Sequence, residues 1–452
     1  MNNNLKIYSA FYLGVLLERK KIDPITILEY YLSNFKKANI NTKLSFSKVL
    51  EKQAYKEATL SWKRQKKNQR LSFFDGIPIV WKDLVDIEGF PAYAGSKLIE
   101  KIRKKEKVNN ASIVKIAKEN GLISLAKTST VEFAFGGLGI NKSCKLPTNM
   151  MFNKKNHVPG GSSTGAATAL YSGLAPLSIG TDTAGSIRIP AAWHSLIGFK
   201  PSLGMLPMDG VLPLSKSFDS VGIISKTVKD TKILFDILSN KKYKQEFKFL
   251  KKIKVGFVND FNFNQLDNYC KKKIVLLNTK IARLGLHVEN IEAPEFKEIN
   301  DFFLLHGSLV NYEAWKYWKE IIENNLNFID PNVAARFLIG KNMENKSITK
   351  IRKKIRNLKY KIMKRLEEYD FFLMPTIALE PPLAKDMRNK NKYKLYNNAA
   401  LDNTRGVNIF DLCAISLPLN IDKKKWLSIS IITKKNNDNK LLAIAEKIES
   451  IL

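Results

Sequence analysis

At 452 residues with 44 % hydrophobic side chains, the chain is long enough to bury a sizeable core and too apolar for an intrinsically disordered protein. Its formal net charge is +33, from 75 basic residues against 42 acidic ones. Only 12 of the 75 are arginine, so lysine carries the excess. It gathers in SWKRQKKNQR, KIRKKEKVNN, KKIKV and IDKKKW, and Asn and Ile are abundant beside it. Nucleic-acid readers concentrate arginine for bidentate contacts, so this pattern reads as a drift of composition and argues against a nucleic-acid partner. Cys144, Cys270 and Cys413 are too far apart for a disulfide framework or a zinc site. His157, His194, His287 and His306 lack metal-ligand spacing, so no metal and no cofactor are expected. No apolar run approaches the roughly 20 residues that cross a bilayer. The opening MNNNLKIYSAFYLGVLLERKK has neither a basic n-region nor a cleavage site, and it reads as a first helix of a cytoplasmic protein.

Residues 5–70 read as helices. Leu13, Leu16 and Leu17, then Ile25, Ile27, Leu28, Tyr31 and Leu32, fall at helical spacing, with Asp23-Pro24 as the start of the second helix. SFSKVLEKQAYKEATLSWKRQKK reads as a third helix with a basic end. From Phe74 the period changes. In DGIPIVWKDLVDIEG a β-branched run between glycines predicts a buried strand ending at Lys82. A lysine there could snorkel its amine to solvent, and the strand alone does not decide this. Asn110-Ala111-Ser112 caps a helix that ends at Gly121. LISLAKTSTVEFAF then returns to strand and loop, and Phe135-Gly136-Gly137-Leu138-Gly139 is a flexible loop.

PGGSSTGAATALYSGLAPLSIGTDTAGSIRIP follows from Pro159 to Pro190, with two glycine-rich, serine-bearing turns around a small-residue apolar segment. Glycine lets backbone N–H groups crowd around a bound group. A serine in such a turn can offer its hydroxyl while the neighbouring amides face developing negative charge. One such turn alone is also an ordinary loop. Beyond it, strand and helix pieces continue through GFKPS and DSVG. Their alternation predicts an α/β sandwich with a mixed central sheet. Residues 231–370 are lysine-rich and largely helical: KIKVGFVND is a strand, and about 265–285, NYEAWKYWKEIIENN and ITKIRKKIRNLKYKIMKRLEEYD are helices. YDFFLMPT and LDNTRGVNIFDLCAISLPLN return to the sheet. No linker divides the chain, so a single domain over 1–452 is expected: N-terminal helices to 70, a core over 75–230, the helical region to 370 and the C-terminal strands to 452.

Taken with Lys82, the serine segment closely resembles the amidase signature family of serine hydrolases. That family's hallmark is a GGSSxG turn followed at fixed spacing by GxDxxGSxRxP, and here 24 residues separate Ser162 from Ser186. The likeness is close from about Asp75 to Asp230 and looser elsewhere. It implies the amidase-signature fold, a mixed sheet covered by helices on both faces. It also implies Ser186 as nucleophile, Ser162 as bridging serine behind a cis Gly161–Ser162 bond, and Lys82 as ultimate base. Burial among Ile79, Val80 and Trp81 would push Lys82 towards the neutral form that a base requires.

The resemblance places an oxyanion hole at the backbone amides of Thr183, Ala184, Gly185 and Ser186, and borders the substrate pocket with Phe135, Gly136, Gly137 and Ser163. Asp182 and Arg188 are expected to brace the nucleophile loop. Three positions depart from the commonest pattern: Ser129 stands for an asparagine, and Thr164 and Ala184 replace glycines. The implied function is hydrolysis of a small-molecule amide through an acyl-enzyme, without membrane attachment and compatible with a homo-oligomer. Two family branches compete with a stand-alone amidase. The A subunit of the tRNA-dependent amidotransferase usually has asparagine-proline-tryptophan where this chain has Asn149-Met150-Met151, and its arginine signature is not found in YEAWKYWKE. Hydrolases of ureido acids such as allophanate are hinted at by DLCAISLP. A basic RNA-binding protein that has lost catalysis is disfavoured by the three intact positions.

Overall fold

A computed structural model describes residues 5, 8–152, 156–239, 253–260, 263, 265–419 and 426–452. The start of the expected first helix, the first two lysines of KKIKV and residues 421–425 of IDKKKW lie outside the described residues. Eleven strands form one sheet: β1 (Phe46–Val49), β2 (Pro78–Lys82), β3 (Ile123–Thr128), β4 (Leu177–Asp182), β5 (Ile197–Lys200), β6 (Ser220–Ser225), β7 (Lys254–Val258), β8 (His287–Ile291), β9 (Phe371–Pro375), β10 (Leu412–Pro418) and β11 (Ser428–Lys434). Their order across the sheet is β1-β3-β2-β4-β6-β5-β10-β11-β9-β7-β8. β2 runs parallel to β3 and β4, and β7 parallel to β8 and β9, while β4–β6, β5–β6, β5–β10, β10–β11 and β9–β11 are antiparallel. The sheet is therefore mixed. β2, β3, β4, β6, β9 and β10 are buried at every residue. Strands that bury both faces need helices on both, which is why PIVW of β2 and FFLMP of β9 are apolar without alternation.

The periodic helices stand where their spacing places them. Pro24–Lys37 begins with Asp23 accepting the amide of Thr26, and Asn268–Arg283, Leu309–Ile322 and Asn345–Glu368 follow downstream. Four readings need correction. The third N-terminal helix is only Glu51–Lys66, because Phe46–Val49 ahead of it pairs antiparallel with β3. Four residues at a sheet edge are too few to show a period of their own beside a strong helical run. LDNTRGVNIF is the end of a long helix, Lys390–Ile409, and only LCAISLP is strand. Its Asn, Thr and Gly residues are weak helix formers, but docking buries Asn397, Asn403, Thr404 and Asn408 with their polar groups bonded. β8 lies inside the stretch read as largely helical. Finally, Ser112–Glu119 has no side-chain cap; Asn110 accepts the amide of Glu88 instead.

Candidate active site

The parallel trio β3-β2-β4 carries Lys82 to the C-terminal end of β2, wholly buried. Its Nζ lies 2.7 Å from Ser162 Oγ and 2.8 Å from Thr181 Oγ1 on β4. Burial disfavours the ammonium and brings its pKa down to about 7, although the negative charges of Asp219 and Asp182 oppose the shift. The amine does not snorkel to solvent.

Ser162 sits in the turn before the Thr164–Tyr171 helix, and the Gly161–Ser162 peptide is cis. Its carbonyl accepts the hydroxyl of Thr130 and the amides of Val131 and Thr164, which fixes the turn against the loop after β3. Ser163 N–H donates to the carbonyl of Ser186, so the two serine turns are joined.

Ser186 follows β4 in a turn organised by one buried carboxylate. Asp182 accepts the amides of Gly185 at 2.7 Å and Ile187 at 3.1 Å, Arg188 through Nε and Nη2, and the side-chain amide of Asn408. Burial alone would raise the Asp182 pKa; the Arg188 guanidinium outweighs it and holds the group down at about 2. Arg188 also donates to Thr404 O and Asn408 Oδ1, tying the turn to the Lys390–Ile409 helix. Gly185 has φ +130°, and a Cβ there would stand 2.1 Å from Thr404 Oγ1, so no other residue fits.

Of the four amides expected around an oxyanion, that of Gly185 is therefore committed to Asp182. Thr183 is held from its side chain, its hydroxyl donating to Asp219 at 2.5 Å. Asp219 also accepts the amides of Leu214 and Ser215, and burial raises its pKa to about 6. Ser163 is buried; its hydroxyl donates to Thr181 O, and it packs against Gly180 of β4. Phe135 is buried; the amide of Gly137 donates to Asn397, and Gly136 faces Tyr393 and Arg336.

Thr181, Asp219, Thr404, Asn408 and Arg336 were not singled out in the sequence. DSVG contained the signal for Asp219, whereas Thr404 and Asn408 lay in a stretch read as strand. Lys127 was missed as well: it is buried against Asp83 at 3.0 Å and donates to the carbonyls of Phe90 and Pro91, bracing the loop that leaves β2. Buried His194 bonds Pro190 O and the amide of Met150, and burial holds its pKa down at about 4, so it stays neutral. Among the described residues no group of His, Cys, Asp and Glu side chains has the arrangement to hold a metal ion, and no helix is long and apolar enough to cross a membrane.

The family model described as Amidase matches residues 26–442. A similar curated protein is the 2-amino-5-chloromuconic acid deaminase of Comamonas testosteroni, 28 % identical over 381 residues that cover 83 % of this chain and 82 % of that one. The A subunit of the glutamyl-tRNA(Gln) amidotransferase of Thermotoga maritima is 26 % identical over 444 residues, 90 % of each chain. Among solved structures, one described as an amidase superposes with a TM-score of 0.87 at 25 % identity, covering 98 % of this chain and all of the other.

Proposed function

Because the chain belongs to the amidase family, a family of carbon–nitrogen hydrolases, we propose that it cleaves the amide of a small molecule through an acyl-enzyme on Ser186. The observation that carries this reading is the wholly buried Lys82 amine, 2.7 Å from Ser162 Oγ, with a pKa near neutrality. A serine hydroxyl is a weak nucleophile until a base takes its proton. In this reading neutral Lys82 accepts the proton of Ser162 as Ser162 accepts that of Ser186, and Ser186 Oγ attacks the carbonyl carbon. The amides of Thr183, Ala184 and Ser186 receive the oxyanion, each well-placed donor lowering the barrier by about 3 kcal/mol. Asp182 and Asp219 hold that turn from behind. As the tetrahedral adduct collapses, the C–N bond breaks and the amine leaves with the proton returned through Ser162. Water then releases the acid and regenerates Ser186.

We favour a stand-alone hydrolase. The deaminase of C. testosteroni supports this reading by its similarity over most of both chains. A second reading, the glutamine-hydrolysing A subunit, is favoured by the 90 % mutual coverage with the T. maritima protein. Against it stands Asn149-Met150-Met151 in place of asparagine-proline-tryptophan. A ureido-acid hydrolase keeps the same catalytic residues and differs only in the acid released. A fluorophosphonate should label the protein at Ser186, and Ser186→Ala should abolish both labelling and release of ammonia from primary amides. An adduct on another residue would overturn the assignment.

A further inference from the structure

We propose, resting on the amidase reading of the site, that Thr404 is a positioning residue for the reaction: its hydroxyl fixes the peptide between Ala184 and Gly185, and through it the amides that receive the oxyanion. Thr404 belongs to the Lys390–Ile409 helix and is wholly buried. Its Oγ1 donates to Ala184 O at 2.6 Å, across 220 residues of sequence. The other carbonyl in reach, Leu401 O of its own helix, is 3.3 Å away. A hydroxyl has one proton, and the shorter contact takes it.

The Ala184–Gly185 peptide is held from both sides. It is trans, so its carbonyl and its amide point in opposite directions. The carbonyl meets Thr404, and the Gly185 amide donates to Asp182 Oδ1 at 2.7 Å. A peptide anchored on one side can rock about the line between its two Cα atoms; a second anchor on the opposite side stops it. The next peptide is anchored at its carbonyl, where Gly185 O accepts the amide of Ile189 at 2.8 Å, and its own amide, that of Ser186, points away from this bond. Among the described residues no acceptor takes the amide of Ser186 or that of Ala184. These two donors flank the doubly anchored peptide, so its tilt sets their directions.

Thr404 reaches the turn because position 185 has no side chain: a Cβ there would stand 2.1 Å from Thr404 Oγ1 and 2.7 Å from Thr404 Cβ. Arg188 ties the backbone of the same residue to the turn, its Nη2 donating to Thr404 O at 3.0 Å. That bond survives any change of the Thr404 side chain, so helix and turn stay docked when the hydroxyl is removed. Losing one oxyanion donor outright costs about 10²- to 10³-fold in kcat. Tilting two donors without removing either should cost less, about 10- to 100-fold.

The test compares Thr404→Val, which keeps the branched shape without the donor, with Thr404→Ser, which keeps the donor. The rate constant for fluorophosphonate labelling of Ser186 needs no knowledge of the substrate, and the phosphoryl oxygen of the probe stands in for the oxyanion. Thr404→Val should be labelled about 10- to 100-fold more slowly than the wild type, and Thr404→Ser at close to the wild-type rate. In the pH profile of labelling the plateau should fall while the midpoint near 7, which belongs to Lys82, stays in place. With a primary amide that the wild type hydrolyses, the loss should lie in kcat and leave KM unchanged. If Thr404→Val does not fold, Thr404→Ala removes the same donor without crowding the turn and should show the same loss. Labelling of the donorless variant at the wild-type rate would overturn the role of Thr404. So would Thr404→Ser as slow as the donorless variant, which would assign the loss to packing, or a shifted midpoint, which would assign it to Lys82. A wild-type protein never labelled at Ser186 would instead count against the amidase reading.

Discussion

A lysine amine in water holds its proton to about pH 10.4; at the end of β2, burial brings that threshold to about 7. As a base Lys82 must be neutral, so kcat/KM for amide hydrolysis should rise with pH through about 7 and level off above it. Asp182 and Asp219 are the charges acting on the amine, and Arg188 compensates the first of them. Asp219→Asn removes the negative charge that favours the ammonium. The Lys82 pKa should then fall and the acid limb of the pH–rate profile move to lower pH. Asn can still accept the amides of Leu214 and Ser215, so an unmoved limb in a folded variant would separate Asp219 from the proton path. Lys82→Ala should cost about 10²- to 10⁴-fold in rate, as general-base losses do. Ser162→Ala acts on the same relay, so the double variant should lose little more than the worse single one. A loss equal to the product of the two, read from steady-state kinetics, would contradict the relay.

At the scale of elements, the site is a junction between the β4 turn and the Lys390–Ile409 helix. Asp182 and Arg188 are both wholly buried, and Asn408 and Thr404 of the helix complete their bonding. Such a pair need not stabilise the fold over an apolar alternative, but removing one partner leaves a buried charge without compensation. Asp182→Ala should therefore destabilise the protein by about 3–5 kcal/mol in urea unfolding. It also frees the amide of Gly185. A change below about 1 kcal/mol would mean that water reaches Arg188. The same junction explains why a helix rich in Asn forms at all: its polar side chains bond to loops and strands far away in sequence, which local propensity does not count.

At the scale of the whole molecule, the single sheet joins the motif-bearing strands β2, β3 and β4 to the C-terminal strands β9, β10 and β11 through β6 and β5. The helical region over 231–370 adds β7 and β8 at the far edge, and its Arg336 donates to the carbonyl of Phe135. On the stand-alone reading, the isolated chain should turn over its amide at a rate unchanged by tRNA and ATP. Glutamine hydrolysis that appears only with a co-purifying partner would favour the amidotransferase reading. If the charge of +33 is compositional, tRNA should not bind at sub-micromolar strength near physiological salt, where phosphate contacts weaken steeply.

Local sequence was sufficient for whatever depends on neighbours a few residues away. The helical spacing of Ile27, Leu28, Tyr31 and Leu32, the β-branched run ending at Lys82 and the two glycine-serine turns each declare themselves within one short stretch. β1 did not, because four residues at a sheet edge owe their strand conformation to pairing with Thr128 and Ala126. Contacts across the fold were equally hidden. Lys82 meets Thr181, Thr183 meets Asp219, Arg336 meets Phe135 and Asn408 meets Asp182 at separations of 99, 36, 201 and 226 residues. Strand register and helix docking set those meetings, and neither has a local period. The motif also implied the Gly185 amide for an oxyanion and Ser163 for the border of a pocket, and it carried no sign of what either group bonds in the folded chain. A hydrogen bond goes to whichever acceptor the folded chain brings within reach, and here those acceptors are Asp182 and Thr181. The sequence thus determined which groups could do the chemistry. Tertiary structure decided which of them are dry, charged and free to do it, because burial and long-range partners set the pKa of Lys82 and the occupancy of each donor.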